Sequence, residues 1–102
     1  MIIHDFNPKE LGNYILNNNV ILDFYADWCG PCKMLSGVLE EYSKNNNEVI
    51  ICKINVDKHL DYAKKYGVMT IPALFLYKSG NLIKKSVGYM SKDELENWIN
   101  SD

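Results

Sequence analysis

The chain has 102 residues, 47% of them apolar and 24% charged, with a formal net charge of −2. A chain of this length buries roughly 60–65% of its unfolded surface, enough for one domain over residues 1–102 without crosslinks, and the apolar content excludes disorder. The lysines, which stand without any arginine, come in ones and twos, as at Lys64-Lys65 and Lys84-Lys85, which leaves no basic stripe for a nucleic acid or an anionic membrane.

The N-terminus, Met1-Ile2-Ile3-His4-Asp5, reaches an acid too early for a signal peptide, and no apolar run approaches the ~18 residues of a membrane span, so the expectation is a cytoplasmic protein. Ile2-Ile3 allows a short first strand. Asn7-Pro8-Lys9-Glu10 combines a capping residue, a proline suited to a first helical turn and an early acid, with Phe6 and Leu11 as a hydrophobic staple. The spacing of Leu11, Tyr14 and Ile15 carries that helix to the Asn run near residue 18. Val20 to Ala26 is apolar almost throughout, as in a central strand covered on both faces, and only Asp23 interrupts it.

A second helix follows from the Cys29–Cys32 region, with Leu35, Val38, Leu39 and Tyr42 on one face, and ends in a second Asn run at 45–47. Val49 to Val56 reads as a second buried strand. Asp57 is a candidate cap for a short helix bearing Leu60 and Ala63 and closed by Gly67. Ala73–Tyr77 and Leu82–Val87, joined through Ser79-Gly80-Asn81, predict an antiparallel hairpin. Ser91-Lys92-Asp93-Glu94 is a capping box with Met90 and Leu95 as its staple, and the last helix buries Leu95, Trp98 and Ile99. Helices alternating with strands, then a hairpin, give an α/β layered domain with parallel central strands and an antiparallel edge.

Three cysteines is an odd, low count, unlike the dense even frameworks of small secreted proteins. Two of them flank Gly30-Pro31 where the strand Val20–Ala26 runs into a helix. Residues three apart on a helical turn have Cβ atoms about 5–6 Å apart, near enough for a disulfide after a small adjustment. If the helix starts at Cys29, that sulfur meets unpaired N–H groups and the positive end of the dipole, which favour thiolate. Cys29 is then the attacking sulfur, and Cys32, one turn inside, is the more buried and slower to ionise. Gly30 permits a tight bend and leaves the sulfur approachable, while Pro31 suits a first turn. A structural zinc wants four ligands. Cys52, His4 and His59 could complete a set, but Cys52 lies in a buried strand as a small core residue and no second pair has ligand spacing, so no metal is expected.

The segment W-C-G-P-C-K, the strand I-L-D-F-Y-A before it, V-M-T-I-P-A, the turn K-S-G and the V-G near residue 88 resemble the thioredoxin family along essentially the whole chain. The resemblance implies the thioredoxin fold, a three-layer α/β/α domain with a mixed sheet of four to five strands flanked by four helices. It also implies a general protein-disulfide reductase acting by dithiol–disulfide exchange in cytoplasmic redox homeostasis. Cys29 would be the nucleophile, Cys32 the resolving thiol, and Trp28 an apolar shield. Asp23 matches the family's buried acid, with a pKa raised by desolvation and a role as general base toward Cys32 through a water, and Lys53 matches that acid's partner. The bland reading of this pair is a structural salt bridge.

By the same resemblance Ile71-Pro72 is a cis-proline loop packed on the cysteines, and Thr70 and Ile71 offer backbone groups to an extended substrate segment. Trp28, Gly30, Pro31 and Val56, with Val87, Gly88 and Tyr89, would add an apolar docking patch around them. The implied partners are disulfide-containing proteins and a thioredoxin reductase drawing electrons from NADPH. No bound cofactor, nucleic acid or membrane is expected, and the chain is expected to be a monomer. Gly37 stands where the family usually has a helix-kinking Pro, at a cost to the helix of about 0.5–1 kcal/mol relative to Ala, and Ala73 stands where Thr is common. The alternative is a redox-independent binding module of the same fold.

Overall fold

The computed structural model describes residues 1–101. A two-residue strand β1 (Ile2–Ile3) leads to a 3-10 turn at Pro8–Glu10 and helix α1 (Leu11–Ile15), followed by β2 (Asn19–Tyr25) and α2 (Gly30–Asn45). Strand β3 (Val49–Asn55), helix α3 (Leu60–Lys65), the hairpin β4 (Ala73–Lys78) and β5 (Asn81–Val87), and α4 (Lys92–Asn100) complete the chain. The sheet order is β1-β3-β2-β4-β5. The β1/β3 and β2/β3 pairs are parallel, while β2/β4 and β4/β5 are antiparallel. The expected mixed sheet and its edge hairpin are present, with Ile2–Ile3 as the fifth strand.

Side chains alternate across a strand, and β2 shows what that does here. Ile21 packs on one face with Leu35, Leu39, Leu95 and Ile99 of α2 and α4. Val20, Leu22 and Phe24 pack on the other with Phe6, Leu11 and Phe75, where α1 and Tyr66 just past α3 cover them. Asp23 shares the parity of Ile21 and therefore points toward α2. The staple residues Phe6 and Leu11 are both buried, and Asn7 caps the first turn by accepting from the Lys9 amide at 3.1 Å. The capping box at Ser91 and Glu94 forms with both of its hydrogen bonds.

The start of α3 differs from the sequence reading. His59, not Asp57, occupies the N-cap position and makes no side-chain cap bond. The buried carboxamide of Asn55 is the reason, because its oxygen takes the amides of Asp57 and Lys58 at 2.8 and 3.3 Å and holds the turn before the helix. Within α3, Ala63 faces the core and Leu60 is exposed.

Helix α2 runs unbroken through Gly37. A Cβ at that position would meet no heavy atom within 4 Å, and the residue is not in the left-handed region. Gly37→Ala should therefore raise stability by about 0.5–1 kcal/mol, read as a higher urea midpoint with an unchanged slope. A lower midpoint would show that the helix needs the glycine.

Candidate active site

The chain leaves the carboxyl end of β2 at Tyr25, crosses Ala26, Asp27 and Trp28, and enters α2. Cys29 is the N-cap of α2, with extended backbone at φ −89° and ψ 109°. Its sulfur accepts a hydrogen bond from the Cys32 amide at 3.3 Å, so it fills the place a serine or aspartate oxygen takes in an ordinary N-cap. Pro31 sits in the first turn, where a missing N–H leaves no bond unmade. Cys29 and Cys32 are joined by a disulfide, with their Cα atoms 5.2 Å apart.

The expected contrast in burial between the two cysteines is slight: both are buried, Cys32 at 3% exposure and Cys29 at 5%. Ala26 packs directly against them, and Val56 and Ile71 pack on them from neighbouring loops, so packing limits access to Cys29 even though Gly30 leaves its own side open. The asymmetry lies in the surroundings. The Cys29 sulfur takes the helix-terminal amide and lies 4.0 Å from the Ile71 carbonyl oxygen. Cys32 lines a cleft of about 370 Å³ with Tyr25, Asp27, Lys33, Ser36 and Lys53.

Asp23 is 1% exposed, and neither of its oxygens has a hydrogen-bond partner among the described residues. It stands in register with Lys53 of β3, whose Nζ lies 3.8 Å from Oδ2. Desolvation raises the Asp23 pKa to about 6, and the Lys53 charge opposes that rise without cancelling it. Lys53 Nζ also donates to the Ser36 hydroxyl and lies 4.9 Å from the centre of the Tyr25 ring.

The Ile71-Pro72 peptide is cis, and the Pro72 carbonyl accepts the Gly88 amide at 2.8 Å, tying that loop to the end of β5. Trp28 is 71% exposed, and its indole N–H donates to Asp57 Oδ2 at 3.0 Å. The carboxylate read as a helix cap therefore fixes the tryptophan instead. Gly30, Pro31 and Thr70 lie exposed, as do Val87 and Tyr89, while Pro72 is buried. Met69, 95% exposed just before Thr70, is an apolar residue of this rim that the sequence reading did not single out. Ser36 was also missed; its one available signal is its place four residues after Cys32, on the same helical face.

Cys52 is fully buried, and desolvation pushes its thiol up to about 12, which makes it a core residue without thiolate chemistry near neutral pH. Among the described residues no three His, Cys, Asp or Glu side chains come together as a metal-binding group.

A family model described as thioredoxin matches residues 3–101. The chain belongs to the thioredoxin family. It is 42% identical to a thioredoxin of Chlamydia caviae over 94 residues, 92% of each chain. Identity to a thioredoxin of Bacillus subtilis is 45% over 82 residues, 79% of each. Among solved structures, a mutant thioredoxin from Halobacterium salinarum superimposes with a TM-score of 0.88 at 36% identity, covering 98% of this chain and 88% of that one. The oxidised mitochondrial thioredoxin 3 of Saccharomyces cerevisiae gives 0.84 at 35% identity, covering 100% and 94%. Thioredoxins are protein-disulfide oxidoreductases that hold no cofactor of their own, and this chain carries a disulfide-bonded cysteine pair, Cys29 and Cys32.

The raised Asp23 pKa has a consequence for stability. The native state holds a proton there up to about pH 6, whereas the unfolded chain releases it near 3.8. Stability from this group is thus greatest below pH 4 and falls as pH rises through 6, by up to ~3 kcal/mol. Asp23→Asn should gain on the wild type by about that amount between pH 4 and pH 7 in urea unfolding of the oxidised protein. A difference that stays flat with pH would show that Asp23 titrates normally.

Proposed function

We propose that this thioredoxin is a reductant of protein disulfides in which Cys29 attacks, Cys32 resolves and Asp23 accepts the proton that Cys32 must lose. The observation that carries the division of roles is the N-cap position of the Cys29 sulfur, set against a buried carboxyl without a hydrogen-bond partner on the face of β2 beneath α2. In the reduced protein the helix N-terminus stabilises a Cys29 thiolate. That thiolate attacks one sulfur of a target disulfide, forms a mixed disulfide and releases the other target sulfur as a thiolate. Asp23 takes the Cys32 proton through a water in the cleft. The Cys32 sulfur then attacks Cys29, forms the intramolecular disulfide and expels the second target thiolate. The target gains two electrons, and its two thiolates take up one proton returned by Asp23 and one from solvent, equivalent to the proton Cys29 lost on forming its thiolate; the thioredoxin ends oxidised.

Recharging needs two electrons in return. We assign that step to a thioredoxin reductase fed by NADPH, on the strength of family membership. Trp28 and Tyr89, with exposed Thr70 and half-buried Ile71, suit an extended substrate strand laid along the cis-proline loop. Gly88, bound to Pro72, and Val56, packed on the cysteines, support the floor of that groove. The low cysteine count suits a reducing compartment, and we read the protein as cytoplasmic, monomeric and a single domain over residues 1–102.

Reduction of insulin disulfides with NADPH and a thioredoxin reductase tests the whole cycle. The wild type should turn over, Cys29→Ser should be inactive, and Cys32→Ser should accumulate mixed disulfides with its targets. Absence of turnover by the wild type would point instead to a binding module. For the proton step, Asp23→Asn should slow decay of the mixed disulfide about ten- to hundredfold at pH 7. Equal decay across pH 6–9 would leave Asp23 a purely structural residue.

A further inference from the structure

The ammonium of Lys53 has three donors, yet the buried carboxylate beside it accepts none of them. At 3.8 Å from Asp23 Oδ2 the contact is an ion pair too long for a hydrogen bond, and both Asp23 oxygens stay unpartnered. Nζ donates instead to Ser36 Oγ on α2 and lies over the Tyr25 ring. Ser36 follows Cys32 by one helical turn, and Cys32, Ser36 and Lys53 line the same cleft. The hydroxyl thus holds the cation on the cleft side, away from the carboxyl.

We propose that Ser36 is a positioning residue of the exchange reaction: by accepting a hydrogen bond from Lys53 it keeps the ammonium off Asp23 and preserves Asp23 as a base for Cys32. The inference rests on the reading of Asp23 as the proton acceptor. Its physical content is a competition for one cation between a neutral hydroxyl and a buried carboxylate. With the hydroxyl gone, Asp23 Oδ2 is the next acceptor within reach, and closing the gap to hydrogen-bond distance strengthens the attraction by an amount that lowers the Asp23 titration by about one pH unit. A carboxylate so held is a weaker base toward a thiol.

The groups that could confuse such a measurement can be named. Lys53 faces Asp23 from β3, and Cys32 and Lys33 line the cleft from α2. Tyr25 and Asp27 line it from the end of β2 and the loop beyond, while β4 sets the neutral Leu74 opposite Asp23. In the oxidised protein Cys32 has no proton to lose, so that form isolates the pair Asp23 and Lys53.

The test follows the Asp23 carboxyl carbon by NMR against pH in the oxidised full-length protein. Ser36→Ala should move the titration down by about one pH unit, and Ser36→Thr, which keeps a hydroxyl, should leave it at the wild-type value. Lys53→Met should move it up, and adding Ser36→Ala to that variant should change nothing further, because the effect travels through the cation. A titration that stays in place or rises in Ser36→Ala overturns the proposal, as does an effect that persists without Lys53. Decay of the mixed disulfide at pH 7 supplies the kinetic arm, with Ser36→Ala about threefold slower than the wild type. In that assay an unchanged Asp23→Asn would overturn the proton-acceptor reading and this proposal with it. A slowed Asp23→Asn beside an unchanged Ser36→Ala would overturn the role of Ser36 alone.

Discussion

Strand β2 is paired along both edges, with β3 on one side and β4 on the other, and helices cover both of its faces. It cannot slide by one residue without turning Ile21 and Asp23 to the wrong face and moving Val20, Leu22 and Phe24 out of theirs. Its carboxyl end is therefore a fixed point, and the three residues after it carry the chain to the N-cap of α2. The position of Cys29 against the amides of α2, and of Asp23 beneath that helix, follows from this one constraint.

The same constraint explains why a carboxyl can be kept where it costs stability. A register held by so many apolar contacts tolerates one buried acid whose ionisation is unfavourable. Lys53 enters by the pairing of β2 with β3, which sets it opposite Asp23 in the sheet. The pairing brings the two groups close but does not fix how the ammonium divides itself between acceptors. That choice belongs to α2, which supplies Ser36, and to Tyr25, whose ring offers the cation a face.

Much of this was legible in the sequence wherever one strong local pattern decided the outcome. Continuous apolarity marked β2 and β3, periodicity marked α2 and α4, and the box at Ser91 and Glu94 fixed the start of α4. The pair Cys29 and Cys32 announced itself by spacing, and Asp23 by breaking an apolar run. The start of α3 was misread because Asn55 and Asp57 compete for the same turn, and only packing shows that the buried carboxamide wins. Ser36 and the contact of Asp57 with Trp28 join residues 17 and 29 positions from their partners; no local rule reaches that far. The expected difference in cysteine burial is small for a related reason, since Val56 and Ile71, distant in sequence, pack against the cysteine cluster.

The two sulfurs are thus distinguished by the kind of field each one meets rather than by exposure. Cys29 faces backbone amides and a helix dipole, a positive field that does not titrate and so favours its thiolate over a wide pH range. Cys32 lies one turn deeper on a cleft that it shares with Lys53, the cation paired with Asp23, and that acid changes its own charge near pH 6. A permanent field suits the sulfur that must be ready before a target arrives. A proton acceptor with an adjustable partner suits the sulfur that must stay quiet until the mixed disulfide has formed, because a second thiolate beside Cys29 in the free protein would be opposed by the charge of the first. On the proposed roles, the fold separates attack from resolution by placing one cysteine on a helix end and the other on a cleft shared with the cation of a titrating pair.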